Sequence, residues 1–245
     1  MRKSKTERFR ELEEMKNVFQ PLHKEVFKKD HPLKGRWREE VFHNDCPVVL
    51  EIGCGKGEYS VELARLFPDK NFIGIDIKGA RIWSGARQAV ECGMENIAFL
   101  RLRAELMESV FAPGEIDEIW ITFPDPQMSK ARKRLTGSRY LKIYKNILSP
   151  YGCIHLKTDS GFLHAYTSEI VKCNGFREEI NTSDLYRDFE NDPVLGIKTF
   201  YERQWLKRGK SIKYIKFFLS QTGDFREPDI RIEKDDYRSE TRYMQ

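Results

Sequence analysis

The residues best suited to chemistry in this chain are five carboxylates: Glu51, Asp76, Asp125, Asp159 and Glu202. Glu51 opens the stretch Glu51-Ile52-Gly53-Cys54-Gly55-Lys56-Gly57. Its alternating glycines let the backbone turn sharply and approach a ligand where a Cβ would clash. Asp76 closes the apolar run Phe72-Ile73-Gly74-Ile75, and an acid after a second parallel strand accepts hydrogen bonds from ribose hydroxyls. The Gly-x-Gly-x-Gly spacing lacks the two-residue gap of the dinucleotide fingerprint. Glu51 also suits an amino-bearing or positively charged ligand better than a pyrophosphate. S-adenosylmethionine carries an α-amino group, a sulfonium and a ribose but no phosphate, and is the cofactor these residues predict.

Asp125 lies between Pro124 and Pro126 in Phe123-Pro124-Asp125-Pro126-Gln127, ahead of Lys130, Arg132, Lys133, Arg134 and Arg139. Prolines restrict the backbone on both sides, so the carboxylate is either a plain turn residue or a fixed reactive group with phosphate contacts behind it. Asp159 follows Lys157-Thr158 and precedes Ser160; it either lines the mouth of the site or shares in capping the next helix. Thr199 and Glu202 are three apart. On a helix they share a face and one ligand, and they equally have capping-box spacing. The histidines (23, 31, 43, 155, 164) form no metal motif, so no metal site is expected, and no activated nucleophile has an evident base. Chemistry must therefore run on a bound reagent that the protein positions.

The elements that place these residues alternate. Strands are predicted over 47–52, 71–76, 97–102, 116–122, 153–158, 176–180 and 212–219. Helices are predicted over 58–67, 79–92, 140–148 (Ser138 as its cap) and 162–173. Repeated crossovers imply an α/β fold with a mostly parallel sheet covered on both faces, and ligands in such sheets bind beyond the carboxyl ends of the strands. Ile116, Ile119 and Ile121 are core candidates. Residues 1–46 read as a basic N-terminal arm in which Leu12, Met15, Val18 and Phe19 predict a short helix stopped near Pro21, with Trp37 and Phe42 further on. The arm is either solvated with its aromatics packed back, or a contact for nucleic-acid phosphates. Residues 47–220 form the main domain, and 221–245 a charged tail that is mobile or draped on the surface, with no chemistry attached.

The chain has 245 residues, 33% of them charged, and a formal charge of +5, the profile of a soluble globular protein. Its five cysteines are scattered with no Cys-x-x-Cys pair. With no secretory leader pattern, they point to a reducing cytoplasm without structural zinc. No apolar run approaches the roughly 20 residues that cross a bilayer.

In Leu50–Gly57, Phe72–Asp76, Phe123–Pro126 with Arg134-Leu135, Lys157–Asp159 and Thr199-Phe200-Tyr201-Glu202, the sequence resembles the tRNA (guanine-N7)-methyltransferase family of class I methyltransferases, over residues 40–219. The resemblance implies a Rossmann-like, seven-stranded sheet and methyl transfer from S-adenosylmethionine to N7 of a guanosine in the tRNA variable loop, at position 46. It implies cofactor contacts at Glu51, Gly53, Gly55 and Asp76, and Asp125 at the junction of cofactor and target. Substrate contacts fall on Asp159, Thr199, Glu202 and a basic residue after the proline loop. Here the chain departs from its relatives. Gln127 stands where tryptophan is frequent, and Ser129 or Lys130 takes the lysine position. Arg103-Ala104-Glu105 stands where relatives place an acid near adenine, leaving Glu105 or a backbone amide for that contact.

Guanine N7 is an unprotonated acceptor, so the implied transfer needs no general base. Asp125 is expected to favour the shifting positive charge, and Asp159 or Glu202 to accept from guanine N1–H and its amine. The expected partner is tRNA, with the protein a monomer or homodimer. Three other readings remain: an NAD-dependent oxidoreductase, an RNA-binding protein with a relic nucleotide pocket, and a methyltransferase for another substrate.

Overall fold

A computed structural model describes residues 3–220 and 223–235. Parallel strands β2 (Val48–Ile52), β3 (Asn71–Asp76), β4 (Ile97–Arg101), β5 (Ile116–Thr122) and β6 (Leu148–Thr158) form the centre of the sheet. β8 (Lys213–Phe218) runs antiparallel between β6 and β7 (Arg177–Thr182). All five residues of β2 are buried, as a central parallel strand covered on both faces requires.

Period-two alternation divides β2 between two cores. Val48, Leu50 and Ile52 pack with Leu141, Tyr144 and Ile170, whereas Val49 joins Tyr59, Leu63, Phe99 and Trp120 on the other face. The helices supplying these layers are α3 (Glu58–Leu66), α4 (Gly79–Glu91), α5 (Ser138–Ile147) and α6 (Gly161–Cys173). They were predicted within two residues at each end. The core candidates Ile116, Ile119 and Ile121 are all fully buried.

Among the described residues the sheet has eight strands, one more than predicted. The addition is β1 (Val18–Phe19), parallel to the edge of β4. The predicted arm helix is correspondingly shorter: α1 (Lys5–Glu14) starts in a Ser4/Glu7 capping box and ends before Val18. An open sheet edge satisfies the backbone of Val18 and Phe19 better than another helical turn would. Around α1, Leu12 is buried and the Trp83 indole donates to Glu11 Oε2 at 2.7 Å. Trp37 is fully buried between Phe19 and Phe111, its indole donating to the Val110 carbonyl at 2.8 Å. Trp37 and Phe42 of the arm thus pack back onto the domain, whereas Phe27 is exposed.

The described part of the tail is tied down. Phe225 packs edge-on against Phe176, with ring centroids 5.0 Å apart. Glu227 accepts from the Ser138 N–H (3.0 Å) and hydroxyl (2.7 Å). Ser138 is therefore not the cap of α5, whose cap position is Gly137; a carboxylate from the tail performs that task. Residues 1–2, 221–222 and 236–245 lie outside the described residues.

Candidate active site

The strand order β1-β4-β3-β2-β5-β6-β8-β7 places successive crossovers on opposite sides of the β2–β5 pair. The crevice beyond the carboxyl ends of those two strands is the expected ligand position in such a sheet. Ile52 pairs with Ile121, so the glycine turn and the proline loop leave the sheet side by side. A hydrogen bond from the Thr122 hydroxyl to Glu51 Oε1 ties their roots together.

The turn is held by Gly53 and Cys54 N–H groups donating to the Ile75 carbonyl at 2.8 and 2.9 Å. Gly53 and Gly55 both have positive φ, 80° and 58°, a region that a side chain makes costly. A Cβ on Gly53 would meet no heavy atom within 4 Å, and on Gly55 only the Gly53 carbonyl at 4.0 Å. Their open side is free for a ligand. Gly57 also has positive φ, 73°, and a further constraint: a Cβ there would lie 2.5 Å from Phe99.

Glu51 is buried and accepts from the Ser60 N–H at 3.0 Å and from the Ser60 hydroxyl. Burial pushes its carboxyl above the ordinary value against these hydrogen bonds. Asp76 bridges the turn to the next helix, accepting from Gly55 N–H (3.0 Å) and Lys78 N–H (2.7 Å). Beside it, a cavity of about 270 Å³ is lined by Ile77, Leu102, Arg103 and Leu106, with Gln20 to His23 as its far wall. Glu105 is half-buried, with Arg103 3.6 Å from its carboxylate.

Asp125 is exposed, and its Oδ1 accepts from the Gln127 N–H at 2.9 Å. Phe123 and Gln127, on either side, both adopt φ +48°. Two bulky residues in that region are unusual, and such strain collects at functional loops. It is invisible to sequence patterning. The run behind the loop divides in two. Arg134 holds the loop itself, donating to the Met128 carbonyl (2.9 Å) and stacking on Tyr166 (4.4 Å). Lys130, Arg132 and Lys133 remain exposed.

At the end of β6 the two possible roles separate. Ser160 caps α6, accepting from Leu163 N–H, and also donates to Asp235 of the tail. Asp159 takes no part in the cap. It is 5% exposed, and neither carboxylate oxygen has a hydrogen-bond partner among the described residues. Burial pushes its carboxyl up to about 6, against the pull of its own backbone N–H and of Lys210 and Lys213.

Thr199 and Glu202 form the capping box of α8 (Phe200–Lys207). Glu202, expected at the substrate, is fully buried. Its Oε1 is taken by Lys157 (2.9 Å) and Tyr186, its Oε2 by Thr199 N–H (3.2 Å). The sealing partner is Lys157, which the sequence pattern could not pair with it.

Among the described residues, one group of possible metal ligands converges, Glu118, Cys153 and His155. It lies in mid-sheet and is hydrogen-bonded internally and to Trp120 and Tyr214. No helix among the described residues is long and apolar enough to cross a membrane.

The sheet order, the open glycine turn and the acid after the second central strand define a class I, S-adenosylmethionine-dependent methyltransferase. A family described as putative methyltransferases matches residues 45–215. A solved 16S rRNA methyltransferase, KamB, shares the fold with a TM-score of 0.60 at 14% identity, covering 80% of this chain and 98% of its own. A tRNA (guanine-N(7)-)-methyltransferase of Bacteroides fragilis is 52% identical over 99% of this chain and 96% of its own length. One of Porphyromonas gingivalis is 56% identical over 86% and 87% respectively, and one of Geobacillus thermodenitrificans 38% over 73% and 82%. The chain belongs to the tRNA (guanine-N(7)-)-methyltransferase family.

Proposed function

We propose that this protein transfers the methyl group of S-adenosylmethionine to N7 of a guanosine in the tRNA variable loop, at position 46, in the cytoplasm. The carrying observation is the juxtaposition of glycine turn and proline loop at one crevice, joined through Thr122 and Glu51. Bound there, the cofactor supplies a methyl group on a sulfonium, already activated for transfer. Glu51 contributes negative charge towards the amino-acid end, the backbone at Gly53 and Gly55 gives close approach, and Asp76 accepts from the ribose hydroxyls. The cavity at Ile77 and Arg103 has room for a purine.

Guanine N7 carries a lone pair and no proton, so the protein has no proton to remove. Its tasks are alignment and field. Asp125, exposed beside the crevice, faces the centre where positive charge passes from sulfur to the base. Asp159, with two unpartnered oxygens, accepts from guanine N1–H and the exocyclic amine, a donor pair that adenine lacks. Lys130 (or Ser129 beside it), Arg132 and Lys133 take phosphates. Thr199 and Glu202 act from beneath by fixing α8. All these residues come from one chain, so the reading needs no second copy.

The test is incubation with labelled S-adenosylmethionine and unmodified tRNA, followed by mapping of the modified nucleotide. Label on N7 of the variable-loop guanosine is the expected result. Label elsewhere, or none, overturns the reading.

A further inference from the structure

One rim of the crevice carries a feature used by nothing described so far. Phe200 and Tyr201, the first residues of α8, are 44% and 46% exposed. Their rings meet edge to face with centroids 5.8 Å apart. Cations from two other elements bracket them. Lys56 Nζ, from the glycine turn, lies 4.7 Å from the Phe200 ring centre. The Arg81 guanidinium, from α4, lies 5.9 Å from the Tyr201 ring and 3.4 Å from its phenol oxygen.

These rings stand on a firm mount. Phe200 N–H donates to Glu58 Oε2 at 3.1 Å, and the capping box behind it is anchored on buried Lys157. Adjacent exposed aromatic rings do not strengthen a core, and a surface that keeps them flanked by cations matches a ligand with flat apolar faces and negative charge. Single-stranded nucleic acid has both: bases stack on aromatic side chains while cations follow the backbone.

We propose that Phe200 and Tyr201, with Lys56 and Arg81, form a stacking platform for a nucleotide next to the target guanosine in the RNA substrate. This deepens the tRNA reading and rests on it. When the target base leaves its stack to reach the crevice, its neighbour loses a stacking partner. An aromatic ring at the rim replaces that partner, and the flanking phosphates meet Lys56 and Arg81.

The test measures binding of an unmodified tRNA transcript across a salt series to four proteins: wild type, Phe200→Ala/Tyr201→Ala, Phe200→Tyr/Tyr201→Phe, and Arg81→Gln. S-adenosylhomocysteine is titrated against each. Stacking depends little on salt, whereas phosphate contacts release counterions. The alanine pair is therefore expected to weaken tRNA binding about tenfold or more at every salt concentration, with an unchanged salt slope. The aromatic exchange keeps wild-type binding, and Arg81→Gln lowers the slope by about one. S-adenosylhomocysteine affinity stays constant throughout. Wild-type tRNA affinity in the alanine pair overturns the platform, as does a loss matched by an equal loss of S-adenosylhomocysteine affinity, which would mark a purely structural role. Wild-type protein that leaves tRNA unmethylated overturns the functional reading itself. Full wild-type methylation with an indifferent alanine pair overturns the platform alone.

Discussion

Lys157 and Glu202 form an ion pair 2.9 Å long in which neither side chain is exposed. Lys157 is further held by the carbonyls of Leu195 (2.9 Å) and Ile197 (2.7 Å), so its donors are fully used. The pair joins the end of β6, where Asp159 stands, to the start of α8. Glu202, expected from the sequence at the substrate, is here fully buried and fastens α8 to β6.

Removing one partner leaves a buried charge uncompensated. Glu202→Ala or Lys157→Ala is expected to cost about 3–5 kcal/mol, whereas Lys157→Met/Glu202→Leu recovers much of that. Denaturant unfolding of the single and double variants measures it; additive losses would show that the two side chains do not act as a pair.

Among the described residues, the one hydrogen bond to the Asp125 carboxylate is from Gln127 N–H. Asp125→Ala should leave folding and tRNA affinity within about twofold, while turnover falls roughly a hundredfold, the scale of a lost electrostatic contact at a reacting centre. Single-turnover kinetics with saturating cofactor is the measurement. Unchanged turnover in a folded variant would remove Asp125 from the reaction.

Asp159 links activity and stability through pH. Its carboxyl is pushed up to about 6 from an ordinary 3.8. Below the unfolded value both states are protonated; as pH rises towards 6 the unfolded chain ionises first, and the native state loses stability. Asp159→Asn should therefore be more stable than wild type at pH 7 by about 3 kcal/mol, with the difference gone only below about pH 3. Its kcat/KM should be low at all pH, whereas the wild-type value falls as pH drops through about 6. Thermal melts and rate profiles across that range check both halves.

The exposed cations Lys5, Arg10, Lys130, Arg132 and Lys133 are available for phosphates. Changing Lys130, Arg132 and Lys133 to Gln should weaken tRNA binding at low salt and flatten its salt dependence by up to about 0.9 per lost duplex contact. The Lys5→Gln/Arg10→Gln pair should do the same to a smaller extent. Cofactor affinity should not change. A salt slope equal to wild type would place the RNA elsewhere.

The repeating strand–helix pattern was legible because β3 and β4 are nearly unbroken apolar runs, β5 keeps Ile116, Ile119 and Ile121 buried, and the glycines at 53, 55 and 57 all sit at positive φ. Two-residue β1 was not: Val18 and Phe19 become a strand only because β4 offers an open edge. At Asp159 and Ser160 the sequence left helix capping open beside a place at the mouth of the site, since both residue types cap helices. Three dimensions were needed to show that the serine caps and that the aspartate carboxylate has no hydrogen-bond partner among the described residues. The strain at Phe123 and Gln127 and the sealing of Glu202 by Lys157 depend on contacts distant in the chain, which local patterning does not encode.

Glu227 completes the start of α5 through Ser138, and Asp235 that of α6 through Ser160 and the Phe162 N–H (2.9 Å). The beginnings of both helices thus depend on carboxylates from a segment more than sixty residues further along the chain. Removing residues 223–235 would unlatch both helix beginnings, that of α6 directly beside Asp159.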